Sequence, residues 1–181
     1  MTNCKSNTQT TTMIMKFLKN TLVILAMASL VVLVNCKKKG GGGDDPEPQG
    51  KATSELLEAG TWVPTTGGVT NNNTPRDEWD GFTLTLTANA DFTGGTYAVS
   101  GMPSEADAEL VWKSNGGTWA FVKNADDSLD LGKVIKDGDA DNVLAVTVSA
   151  TSLRLQFTVP DPAARVDGFD GAWVFNFELQ Q

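Results

Sequence analysis

From about residue 80 to the C-terminus, apolar and polar side chains alternate with a period of two. "GFTLTLTA" puts Phe82, Leu84 and Leu86 on one face and Thr83, Thr85 and Thr87 on the other. "SLRLQFTV" does the same with Leu153, Leu155, Phe157 and Val159 against Arg154, Gln156 and Thr158, and "AWVFNFEL" sets Trp173, Phe175, Phe177 and Leu179 against Asn176 and Glu178. Strict alternation of this kind predicts antiparallel strands with one wet face. Weaker runs at Thr61–Pro64, Gly95–Ser100, Glu109–Lys113, Thr118–Lys123, Ser128–Leu131 and Val143–Ser149 bring the expected number of strands to eight or nine. The segments between them, such as "NADFTGG", "SNGG", "NADDS" and "KDGDADN", are short and carry the Asn, Asp and Gly of hairpin turns. Helix is expected only as single turns, in "ATSELLEAG" before the first strand and in "PSEADAEL". Many short strands joined by short turns read as an all-β barrel or sandwich. Its expected inward set is Phe82, Leu84, Leu86, Trp119, Phe121, Leu144, Val146, Val148, Leu153, Leu155, Phe157, Trp173, Phe175 and Phe177.

The N-terminal third follows another plan. Thr21 to Val34 is apolar except for Thr21 and Ser29. Its 14 residues span about 21 Å as a helix, short of the roughly 30 Å of bilayer hydrocarbon. Read from Met15, "MKFLKN" supplies the basic head of a secretory signal, so translation is expected to start at Met15 or Met13. The run ends in "LVNC", Leu33–Cys36, which resembles the lipobox of bacterial lipoproteins. That resemblance implies cleavage after residue 35, lipidation of Cys36 and attachment to a membrane through its acyl chains. Residues 36–52, from "CKKKGGGGDDPEPQG" onward, then read as a disordered tether, since the stretch offers nothing apolar to bury. A single domain of residues 53–181 follows, large enough to build its own core.

Charge and composition narrow the function. Lys5, Lys16 and Lys19 precede Cys36, leaving 11 of the 14 basic residues after it, whereas all 22 acidic residues follow it, so the chain from Cys36 onward carries about −11. Such a molecule repels nucleic acid. The two cysteines are Cys4 and Cys36, so the domain is expected to have no disulfide. Histidine is absent from the sequence, which excludes Ser-His-Asp and Cys-His catalysis and histidine metal sites. No glycine-rich loop follows a strand and opens a helix, so nothing points to a nucleotide cofactor. The alternating acids of "DGDADN", Asp137–Asn142, have Asn142 and Val148 where a calcium-binding hand needs Gly and Glu. A hairpin turn is the expected reading, with no metal. Carboxylate pairs such as Asp77 with Asp80, or Asp167 with Asp170, sit in turn sequences and nominate no catalytic residue. Asn72 begins a glycosylation sequon, and Ser128 lies in "DSL", which looks like the O-glycosylation tripeptide of Bacteroidetes.

"LLEAGTWVP", with Gly60, Thr61 and Trp62, resembles the Gly-x-Trp opening of lipocalins. Together with "GFTLTLT", "YAVSG", "GGTWAFV", "SATSLRLQFTV" and "GAWVFNFEL" it makes residues 53–181 similar to the lipocalin-like domains of Bacteroidetes lipoproteins. The resemblance implies an antiparallel up-and-down β-barrel of about eight strands, with Trp62 closing one end and an arginine, Arg154 or Arg165, as its stacking partner. It implies an outer-membrane location, exposed on the cell surface, and a non-catalytic module that binds a small apolar molecule or an envelope protein without a cofactor. The 15 residues from Thr65 to Trp79 are expected to form a long polar loop over the far mouth, with a shallow site beneath it and Trp79 as its stacking surface. A purely structural or adhesive surface domain, with a filled interior, is the alternative.

Overall fold

In a computed structural model of the chain, residues 46–105, 107–160 and 168–180 are described. The segment expected to be a secretory signal, Cys36, Arg165 and Asp167 lie outside them. Pro46–Gln181 forms one compact unit.

Helix α1 (Lys51–Leu57) precedes strands β1 (Thr61–Asn71), β2 (Thr74–Pro75), β3 (Thr83–Ala88) and β4 (Gly94–Ser100). A four-residue helix, α2 (Ala108–Val111), separates β4 from β5 (Gly117–Lys123). Then come β6 (Leu129–Lys136), β7 (Val143–Val148), β8 (Ser152–Val159) and β9 (Gly171–Gln180). Every pairing is antiparallel, β1 pairs with β3 past the short β2, each later strand pairs with the next, and β9 returns to β1, so β1 and β3–β9 close an eight-stranded up-and-down barrel with β2 as an extra strand. Closure removes the exposed edges that an open sheet would leave.

The alternation reads correctly onto the wall. β8 runs exposed, buried, exposed, buried through all eight residues. Of the fourteen expected inward side chains, thirteen are buried and Val148 is partly buried against the core.

Four expectations are corrected. Thr65–Asn71 is not loop: it continues β1 along β9, with Val69, Thr70 and Asn71 opposite Phe175, Val174 and Trp173. A bulge between Pro64 and Val69 absorbs the glycines. There the Asn176 amide donates to the Gly68 carbonyl (3.0 Å) and the Thr65 hydroxyl to the Asn176 carbonyl (3.3 Å), so polar residues serve the ladder that apolar ones serve elsewhere. Glu109–Lys113 is not a strand, because Val111 and Trp112 are buried side by side and α2 ends there. Lys51 and Ala52, expected in the disordered stretch, are helical, and the Gln49 side-chain carbonyl accepts from Leu129 N (2.9 Å). Arg154 points outward from β8 beside Gln156, away from Trp62.

Candidate functional site

The register gives the barrel two distinct ends. At one lie α1, the start of β1, the end of β9 and the tight β3–β4, β5–β6 and β7–β8 turns. At the other, the mouth, lie the longer connections from β1 to β3, β4 to β5 and β8 to β9, with the β6–β7 hairpin.

β1 pairs with β3 only through Thr61 and Trp62, so nearer the mouth its free side is followed by β2 and a 3-10 turn, Asp77–Trp79. Trp79 leaves that turn inward and is fully buried. Its ring meets Phe82, Trp173 and Phe175 edge-on at 5.3 to 5.5 Å. Trp79, expected as a stacking surface under the loop, has its ring covered by these three side chains in this structure. The largest apolar side chain in a polar connection goes to the core, and here it plugs the wall. Arg76, which sequence reasoning passed over, lies over the Phe169 ring at 4.7 Å and the Trp173 ring at 5.1 Å, and donates to the Gly168 carbonyl (2.9 Å). It clamps the β1–β3 connection to the start of β9.

The second plug is Trp112, at the end of α2. It touches Phe82, Tyr97, Phe157 and Phe175. Beside it is the residue with no forewarning in the pattern, Lys136, which is 3% exposed. β6 pairs with β5 around a bulge between Phe121 and Val122, and the strand that follows turns Val134 and Lys136 inward, Lys136 opposite Trp119. The Lys136 ammonium donates to the Val111 carbonyl and lies 4.9 Å from the Trp112 ring and 5.2 Å from the Phe157 ring. Burial lowers its pKa from 10.5 to about 8, with Asp137 acting to raise it and Lys113 to lower it.

Asp137 faces the other way. Its carboxylate accepts from the Tyr97 hydroxyl (3.0 Å) and from Thr118 N (3.2 Å) and pairs with Lys113 (3.3 Å). Burial, then the Asp137 charge, raises the Tyr97 phenol well above its ordinary value. The rest of "DGDADN" makes the β6–β7 turn, where the Asp139 carboxylate accepts from Asp141 N (3.0 Å). Among the described residues no group of three or more acids, cysteines or histidines is placed to hold a metal. Asp77 opens the 3-10 turn and Asp80 follows it. The Asn72 side chain accepts from Ala172 N (3.0 Å), and the Ser128 hydroxyl donates to Asp126 (2.6 Å).

Among the described residues, the interior holds a cavity of about 20 Å³ lined by Leu57, Leu86, Trp112, Trp119, Val134, Leu144, Val146 and Leu155. That cavity has room for no more than a water-sized group. The indole N–H groups of Trp79 and Trp112 are the buried side-chain polar atoms without a hydrogen-bond partner among the described residues. Those of Trp62, Trp119 and Trp173 donate to the carbonyls of Leu57 (2.8 Å), Thr96 (3.2 Å) and Phe169 (2.8 Å). No family model, no curated protein and no solved structure matches the chain.

Proposed function

We propose that this chain is a membrane-anchored, non-catalytic binding module that takes a small apolar molecule at the mouth of its barrel. The observation that carries the reading is the pair of plug tryptophans, each on an interstrand connection and each burying an indole N–H with no acceptor. A buried donor left unpaired costs about 1–3 kcal/mol, and phenylalanine would fill the same place without that cost. The mouth is thus built below the stability available to a solid barrel, as binding regions often are. Lipidation of Cys36 supplies the anchor, and the negative charge of the domain keeps nucleic acid away.

Two experiments test it. Cys36→Ala is expected to leave the domain folded and release it from membranes; a variant that still partitions fully with them sinks the anchor. Tryptophan emission titrated with naphthalene-sized probes is expected to change saturably, and the change is expected to vanish in Trp112→Phe. The small size of that cavity favours one other reading, a solid structural or adhesive surface domain, in which no probe binds even after Trp112→Ala opens the mouth.

A further inference from the structure

We infer that the molecule taken at the mouth carries a single anionic head, a carboxylate by preference, which pairs with the Lys136 ammonium. This deepens the proposed function and rests on the mouth being the binding end.

Two separate features converge on that head. The Lys136 side chain is buried among aromatic rings, and its ammonium meets one backbone carbonyl and two ring faces, with no carboxylate in ion-pair range among the described residues. Asp137, the acid adjacent in sequence, is occupied by Tyr97, Thr118 and Lys113. A buried ammonium without a counter-ion is held at a cost that an incoming anion removes.

The second feature is what lies behind it. Trp112 lines the small interior cavity, whose other walls are apolar and reach from Trp119, the cross-strand neighbour of Lys136, to Leu57 at the closed end. Withdrawing α2 breaks the hydrogen bond from Lys136 to Val111 and takes the Trp112 ring from the barrel in one movement, adding its volume to that cavity. The head then meets the ammonium at the mouth while a compact apolar body lies inward along Leu86, Val134 and Leu155.

The full chain, solubilised in a mild non-ionic detergent, is titrated with 1-naphthoate and with its neutral counterpart 1-naphthylmethanol, following tryptophan emission with free probe measured by dialysis. Naphthoate is expected to bind about tenfold or more tightly, the usual advantage of a hydrogen bond to a charged group. Lys136→Met, which keeps length and apolar character, is expected to bring the two affinities together without loss of the alcohol. Equal affinities in the wild type, or a preference for the acid that survives Lys136→Met, overturn the anionic head and leave the binding module standing. Failure of both probes to bind, in the wild type and in Trp112→Ala alike, overturns the module and the inference with it.

Discussion

The two ends of the barrel are closed by the same residue type on opposite terms. At the α1 end Trp62 is fully buried and donates to the Leu57 carbonyl (2.8 Å). Leu57 is the last residue of α1, where helical carbonyls have no partner within the helix, so one indole seals the barrel and completes the helix together. The Glu58 carboxylate accepts from Ala88 N (2.9 Å) and ties the same corner to β3. At the mouth, Trp79 and Trp112 are buried as deeply and satisfy nothing. Burial alone therefore does not tell a structural tryptophan from a plug. What separates them is whether the polar end of the ring has somewhere to go.

The comparison breaks most visibly if the sealed end is cut. Trp62→Ala removes a fully buried indole and leaves the Leu57 carbonyl unpaired, so a loss of about 3–5 kcal/mol is expected. A denaturant midpoint close to that of the wild type would show that the α1 end is not the structural one.

Next in size is the pH response of the mouth. Below pH 8 Lys136 is charged in both the folded and unfolded states, and the full cost of burying the ammonium is present. Between 8 and 10.5 the folded protein has lost that proton while the unfolded chain keeps it, so stability rises with pH, by about 3 kcal/mol if the whole interval is traversed. Tyr97 opposes this from pH 10.0 upward, because its buried phenol stays protonated in the fold while the unfolded one ionises. Urea midpoints are thus expected to climb from pH 8 to 10 and then turn over. In Lys136→Met the climb should disappear and the neutral-pH midpoint should rise, since an apolar side chain in place of a buried charge is often stabilising. A climb that persists in this variant would place its source elsewhere.

The barrel was legible in the sequence because "SLRLQFTV" and "AWVFNFEL" obey a period of two in which burial decides every position. The mouth was not, for three different reasons. The second half of β1 is paired through a bulge with polar residues that bond to the backbone, so "TTGGVTN" has the composition of a loop and the geometry of a strand. Lys136 does continue the alternation of Val134, but the β6 bulge interrupts the count just before it, and a lysine at an inward position contradicts the ordinary preference of that residue for water. Trp79 was expected at the mouth as a stacking surface, and its ring lies in the core there. A tryptophan among Asp, Glu and Arg reads as exposed, and only the gap left where β1 parts from β3 shows that the ring has a place inside. Arg76 was not singled out because its ring partners, Phe169 and Trp173, lie more than ninety positions away in the chain.

The smallest effects give the sharpest comparison, because they alter only the polar end of each ring. Phenylalanine keeps most of the apolar contact of an indole and removes its donor. At Trp62 that leaves a buried carbonyl without the group that satisfies it, with an expected loss of about 1–3 kcal/mol beyond the lost volume. At Trp79 and Trp112 the same change removes an unpaired donor, which returns about the same amount and offsets the smaller ring. The three substitutions are close in volume change and burial, so the difference between them isolates the hydrogen bond. Trp62→Phe is expected to lower the urea midpoint clearly, and Trp79→Phe and Trp112→Phe to leave it unchanged or raise it slightly. If all three fall together, the indole N–H groups at the mouth are as well satisfied as the one at the sealed end, and the distinction between seal and plug dissolves.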